Sequence, residues 1–324
     1  MSAIKWGIIG CGNVTEVKSG QAYNKIEDSS LVAVMRRDAA KAADYAKRHG
    51  VPRWYSDAGE LMNDADVNSV SIATPPAFHL EYALAAIKQG INVYVEKPVT
   101  RNAQEAVAMA DAVRQSGAKL TVAHYRRALP MFLHVKTLLE NETVGEVRTV
   151  QIRMWQKREP KLIADSETNW RLQPEISGGG YFHDLAPHQL DLMLYFFGEP
   201  EKYSGYSLNQ AHSSAADDHV CGSIVFKNKV VVNGSWCFNV AESETTDTCE
   251  IIGTKGRITF PFFGKYVTCK TETGEETISF THPEHIQQPM IEKIVAYFKD
   301  EGPNPCTIDE AVVLMQIIDA FTMK

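Results

Sequence analysis

Short apolar runs and longer amphipathic ones alternate along the first third of the chain. Ile4–Ile9, Leu31–Met35, Val67–Ala73, Asn92–Glu96 and Lys119–Ala123 are mostly apolar and often β-branched. Such runs fit strands buried on both faces of a parallel sheet. Between them, Asp38–His49, Phe78–Gln89 and Ala103–Ser116 carry helical patterns. The punctuation agrees: Asp38 and Asn102 suit helix N-caps, and Gly90 and Gly117 suit helix ends. Repeated β-α-β units of this length predict a doubly wound parallel sheet, a Rossmann domain over residues 1–124.

After residue 124 the rhythm changes. The pattern predicts a helix from Pro130 to Glu140, a strand at Val147–Trp155, and a polar loop leading to Gly178-Gly179-Gly180. A helix then runs through Phe197 and closes at Gly198. From Tyr203 to Phe280 the chain reads as strands with turns, among them His219–Phe226, Val230–Phe238 and Thr248–Ile252. Antiparallel pairing fits that segment. Helices Pro289–Asp300 and Ile308–Met323 complete a second α/β domain, residues 125–324.

Composition adds bounds. The 324 residues are 44% hydrophobic and 23% charged, which suits about two globular domains and excludes wholesale disorder. A net charge of -7 argues against a broad nucleic-acid-binding surface. The six cysteines include no C-x-x-C pair, which disfavours a zinc ribbon or a thioredoxin-type motif and suits reduced thiols in a cytoplasmic protein. A strand beginning at Ile4 leaves no room for a signal peptide, and no apolar run approaches the roughly 20 residues of a membrane helix.

The first candidate chemistry is Gly10-Cys11-Gly12-Asn13-Val14-Thr15, directly after the opening strand. Gly10 and Gly12 permit a tight turn, and Asn13 and Val14 lead into a helix whose N-terminus holds a pyrophosphate. Thr15 replaces the third glycine of the usual fingerprint and predicts a slightly wider helix–sheet contact. NAD sites usually place an acid at the end of the second strand, yet here Arg36 and Arg37 stand there. Two guanidinium groups suit a 2′-phosphate, so NADP is favoured over NAD; alternatively both are solvated and Asp38 only caps a helix. Thr74-Pro75-Pro76 stiffens another strand end, and His79 either faces the cofactor or is solvated.

Glu96-Lys97-Pro98 ends another strand, and an ammonium there polarises a carbonyl or stabilises an alkoxide. Taken alone, a surface lysine before a turn explains it as well. In the second domain, Asp184, His188 and Asp191 fall at i, i+4 and i+7 of one helix. A histidine flanked by carboxylates suits acid/base work; an ion-paired helix face is the plain alternative. A metal site from His183, Asp184 and His188 is disfavoured, because helix neighbours point apart.

The glycine turn, the E-K-P and the G-G-G-x-x-x-D-x-x-x-H-x-x-D segment together resemble the glucose–fructose oxidoreductase, inositol dehydrogenase and rhizopine-catabolism (Gfo/Idh/MocA) family across the whole chain. The resemblance implies a Rossmann domain followed by an α/β domain with a large, open, mainly antiparallel sheet. It implies hydride transfer between a nicotinamide dinucleotide and a hydroxyl or carbonyl carbon of a sugar or polyol. His188 would be the acid/base and Lys97 the electrophilic stabiliser, with Asp184 positioning Lys97 or the substrate, Glu96 beside the cofactor and a cis Lys97–Pro98 bond. Tyr125, Arg126 and Arg127 would line the cleft, with Trp170 and Arg171 near the substrate. The loop 156–176 adds Lys157, Arg158, Lys161, Asp165 and Glu167, either as hydroxyl- or carboxylate-binding groups or as a solvated surface. Ala186-Pro187 departs from the family pattern and predicts a shifted start for the helix that carries His188. A broad sheet suits a homodimer or homotetramer, because large flat sheets tend to be covered. Two other readings share these motifs: an enzyme that retains its NAD(P) and uses transient redox, and a non-catalytic dinucleotide sensor. A sensor should have lost Lys97 or His188, and both are present.

Overall fold

The computed structural model describes residues 3–163 and 169–322, so Asp165 and Glu167 lie outside the described residues. Contacts group residues 3–125 with Pro283–Val313 in one unit, and Arg126–Ile163, Asn169–His282 and the residues from Leu314 in another. A single division at residue 124 therefore misses a returning segment.

In the first unit the strands are β1 (Ile4–Ile9), β2 (Ser29–Met35), β3 (Arg53–Tyr55), β4 (Ser69–Ile72), β5 (Asn92–Val95) and β6 (Leu120–Val122). They form one parallel sheet in the order β3-β2-β1-β4-β5-β6. The mostly apolar runs are explained by burial on both faces: Trp6, Ile8 and Ile9 of β1 are fully enclosed. The helices are α1 (Ala39–His49), α2 (Ala58–Met62), α3 (His79–Lys88) and α4 (Ala103–Ser116). Asp38 caps α1 by accepting the Lys41 N–H at 3.1 Å, and Asn102 caps α4 by accepting the Glu105 N–H at 2.9 Å.

The glycine turn is followed by something other than a regular α-helix. Thr15–Ser19 forms a π turn closed by Gly20 N–H on the Thr15 carbonyl at 2.9 Å, and Ala22–Lys25 forms a 3-10 turn. The Tyr45 hydroxyl, from α1, also donates to that Thr15 carbonyl at 3.2 Å.

Segment 283–313 returns to the free edge of this sheet. The Asn304 amide donates to the Leu120 carbonyl at 2.8 Å, and the Cys306 carbonyl accepts from Val122 N–H and the Thr121 hydroxyl, both at 3.1 Å. These bonds cover edge strand β6.

The second unit contains α5 (Pro130–Glu140), β7 (Val147–Trp155), α6 (Pro174–Ser177), α7 (Gly180–Phe197), β8 (Pro200–Leu208), β9 (His219–Phe226), β10 (Val231–Cys237), β11 (Thr246–Gly253), β12 (Gly256–Phe260), β13 (Tyr266–Thr271) and β14 (Gly274–Ser279). Its sheet runs β14-β13-β12-β11-β7-β10-β9-β8. Every neighbouring pair is antiparallel except β7 and β10. Alternation sends Val150, Ile152 and Met154 of β7, and Val232 and Trp236 of β10, into the core. The Phe321 ring lies against Gly222 so closely that a Cβ there would stand 2.3 Å from it.

Two helices end the chain, α8 (Gln288–Phe298) and α9 (Ile308–Thr322), and the boundary between the units falls within α9. All six cysteines are free thiols. Among the described residues no helix is long and apolar enough to cross a membrane.

Candidate functional site

The glycine turn begins where β1 ends. Gly10 adopts φ +93°, and a Cβ there would lie 2.7 Å from the Thr74 side chain, so the position demands glycine. Gly10 N–H and Cys11 N–H both donate to the Met35 carbonyl, at 2.9 and 3.1 Å. At Gly12 the corresponding side is open, with only the Gly10 carbonyl oxygen at 3.9 Å. A ligand can therefore approach the main chain there. Asn13 is exposed and Val14 half-buried at the start of the π turn.

Thr15 stands in the place of the fingerprint's third glycine. It is fully buried, and its hydroxyl accepts the Gly12 N–H and donates to the Gly12 carbonyl, both at 2.9 Å. It ties the turn to itself. Burial pushes the Cys11 thiol up to about 11, so this thiol is a packing group at neutral pH.

At the end of β2, Arg36 is half-buried and its main-chain N–H donates to the Tyr55 carbonyl at 3.2 Å. The Arg37 guanidinium stands 4.9 Å above the Phe78 ring. Asp38 is committed to capping α1. The open approach at Gly12 and two guanidinium groups at the end of β2 fit a dinucleotide phosphate chain.

His79 is enclosed rather than displayed. Its Nε2 lies 2.7 Å from the Thr74 carbonyl oxygen and its Nδ1 3.0 Å from that of Pro98. The ring pins the end of β4 to the turn after β5. Burial outweighs both carbonyls and holds its pKa below the ordinary 6.5. Pro75 is extended at the start of the short turn Pro76–Phe78.

The Lys97–Pro98 bond is cis, and Lys97 is half-buried. Glu96 is buried, and its carboxylate accepts from the Lys97 main-chain N–H at 3.2 Å and from the Gln287 side-chain amide at 2.6 Å. Gln287 escaped the sequence reading because nothing in its spacing marks a residue 191 positions from its partner.

In the second unit the Ser177 hydroxyl accepts from Gly179 and Gly180 N–H, both at 3.2 Å, and starts α7. The helix then runs unbroken from Gly180 with Pro187 inside it, so Pro187 does not shift the start. Asp184 takes the Arg171 guanidinium at 2.8 Å, and that guanidinium stacks 4.4 Å from the Trp170 ring. His188 is buried, with its ring 5.9 Å from Phe263 at 82°.

Asp191, expected beside His188, has an ion-pair partner of its own. It is held by Arg127 through Nε at 2.9 Å and Nη2 at 2.7 Å. Arg126, expected to line the cleft, is buried. It is 3% exposed, hydrogen-bonded to the Phe262 carbonyl and 4.2 Å from the Phe263 ring. Asp247 completes that bend by accepting Phe262 and Phe263 N–H at 3.0 and 2.7 Å. Tyr125 is also buried. Lys157 and Lys161 pair with Glu242 at 3.2 and 3.6 Å, and Arg158 is exposed.

Comparison with known proteins agrees with this architecture. Residues 4–124 match the model of the oxidoreductase family, NAD-binding Rossmann fold, and residues 132–259 match the GFO/IDH/MocA C-terminal domain. The chain is 49% identical over 320 residues to Oxidoreductase P35 of Formosa agariphila, covering 99% of this chain and 98% of that protein. It is 30% identical over 247 residues to a levoglucosan dehydrogenase of Pseudarthrobacter phenanthrenivorans, covering 68% and 62% of the two chains. A solved levoglucosan dehydrogenase in complex with NADH shares the fold, with a TM-score of 0.86 at 22% identity over 99% of this chain and 96% of that one. With both domains matched in order, the chain belongs to the Gfo/Idh/MocA family and is an NAD-binding oxidoreductase.

Proposed function

We propose that this oxidoreductase acts on a hydroxyl or carbonyl carbon of a sugar or polyol, with NADP favoured over NAD. The observation that carries the catalytic part is the division of labour on α7. One helix carries Asp184, His188 and Asp191, with Asp184 paired to Arg171 and Asp191 paired to Arg127. The levoglucosan dehydrogenase among the relatives supports a sugar substrate. Arg36 and Arg37 support a 2′-phosphate.

The nicotinamide, when bound, supplies the hydride acceptor or donor. His188 takes the hydroxyl proton in the oxidative direction and returns it in the reductive one. The Lys97 ammonium stabilises the negative charge that grows on the substrate oxygen. Asp184, fixed by Arg171, orients a substrate hydroxyl, and Trp170 offers an apolar wall. The same machinery would serve an enzyme that retains its dinucleotide, and release of free NAD(P)H separates that reading.

A thermal-shift screen against NAD, NADH, NADP and NADPH tests the cofactor, and a sugar and polyol panel then tests the substrate class. The expected result is stabilisation, largest with an NADP form. His188→Ala should lose most turnover and keep dinucleotide binding. No shift with any of the four dinucleotides would defeat the proposal.

We further propose that the outer face of the eight-stranded sheet pairs copies of the chain into a dimer or tetramer. Tyr206 and Leu208 on β8 and Tyr266 on β13 are 53%, 48% and 46% exposed there. Light scattering of wild type against a Tyr206→Glu, Leu208→Glu double variant reads the assembly, and identical masses would reject this surface.

A further inference from the structure

Gln287, the residue just before α8, touches both segments that carry the cofactor chemistry of the first unit. Its main-chain N–H donates to the Lys18 carbonyl, in the π turn after the glycine loop, at 3.2 Å. Its side chain is 1% exposed and lies between Tyr94 of β5 and Glu96.

The direction of these hydrogen bonds can be worked out. Burial keeps the Tyr94 hydroxyl protonated, well above its usual range, so it donates to the Gln287 amide oxygen at 3.0 Å. That fixes the amide orientation and turns its NH2 toward Glu96, at 2.6 Å. The other carboxylate oxygen accepts the Lys97 main-chain N–H at 3.2 Å. The chain of bonds therefore runs one way, Tyr94 to Gln287 to Glu96, and ends on the residue adjoining Lys97. A buried carboxylate is costly unless donors satisfy it, and here a glutamine from the far end of the sequence is one of those donors.

We infer that Gln287 is a positioning residue for the reaction: it holds the Glu96 carboxylate and thereby the main chain from which the Lys97 ammonium projects. This rests on the proposed role of Lys97. The side-chain and main-chain ties can be separated, because Gln287→Leu removes the amide and keeps the N–H that bonds Lys18.

The test compares Gln287→Leu, Glu96→Gln and the double variant with wild type, reading kcat, KM and dinucleotide Kd by titration. Gln287→Leu should lower kcat about tenfold through misplacement of Lys97, while dinucleotide Kd stays within about twofold because the main-chain bond remains. The double variant should be no slower than the worse single variant, because both act through one carboxylate. An unchanged kcat, or losses that multiply, would overturn the inference. If Gln287→Leu does not fold, Tyr94→Phe removes only the hydroxyl that sets the amide; a several-fold kcat loss supports the inference and an unchanged kcat overturns it. Lys97→Met separates the two readings. If it turns over normally, the role of Lys97 is wrong; if it is inactive while Gln287→Leu matches wild type, only the present inference fails.

Discussion

Arg127 grips Asp191 through two nitrogens, at 2.9 and 2.7 Å, with the side chains only 5% and 3% exposed. Removing one partner of such a pair strands the other charge away from water. Arg127→Met should cost about 3–5 kcal/mol of stability by chemical denaturation. An Arg127→Met, Asp191→Leu double variant should recover most of that loss. If the double variant is as unstable as the single one, packing rather than charge is what Arg127 provides.

The hydroxyl of Thr15 ties the glycine turn to itself through both polar groups of Gly12. Thr15→Val keeps the shape and removes both bonds, so dinucleotide affinity should fall about tenfold. Thr15→Ser should restore it. A Thr15→Val protein that binds the dinucleotide like wild type would show that the turn needs no such brace.

Discrimination of the cofactor phosphate should reside in Arg36 and Arg37. Replacing both with alanine should weaken NADP binding by roughly tenfold to a hundredfold and leave NAD within a few-fold. Parallel losses for both dinucleotides in calorimetry would assign the arginines to general electrostatics.

His79 gives the fold a pH dependence of defined sign. Its folded pKa lies below the ordinary 6.5 because burial disfavours the charged ring. The unfolded chain therefore binds more protons in the window just below 6.5. The stability owed to neutral His79 is complete above that value and is lost as pH falls through the window toward the folded pKa. Melting temperature measured from about pH 7.5 down to about pH 5.5 should fall less steeply in His79→Gln than in wild type. Equal slopes would remove His79 as a contributor.

Much of the architecture is legible in the pattern because burial on two faces leaves an unmistakable mark. β1 and β5 are mostly apolar runs, and Asp38 and Asn102 announce α1 and α4. β3 and α2 are not legible: three residues of β3 and five of α2 are too short for either period to emerge. The candidate site divides in the same way. Gly10, Lys97 and His188 sit in local motifs. The work of Arg127, Gln287 and Asp247 depends on partners 64, 191 and 15 to 16 positions away, which no spacing rule reports. Pro187 misleads because helix interiors exclude proline on average, whereas α7 tolerates one.

The ring of Phe321 against Gly222 makes a small change expensive. Gly222→Ala should destabilise by about 1–3 kcal/mol, because a methyl group cannot share that space without displacing the ring. A neutral outcome in thermal melts would mean that α9 shifts at little cost.

The bonds that cover β6 come from residues 304 and 306, and this has a consequence for synthesis. A ribosome adding about 5–20 residues per second needs roughly 9–37 s to pass from β6 to its cover. Throughout that interval the nascent cofactor unit presents a bare strand edge, open to chaperones or to neighbouring nascent chains. A protein whose first unit waits for residues 304 and 306 to cover its edge should be most aggregation-prone while still attached to the ribosome.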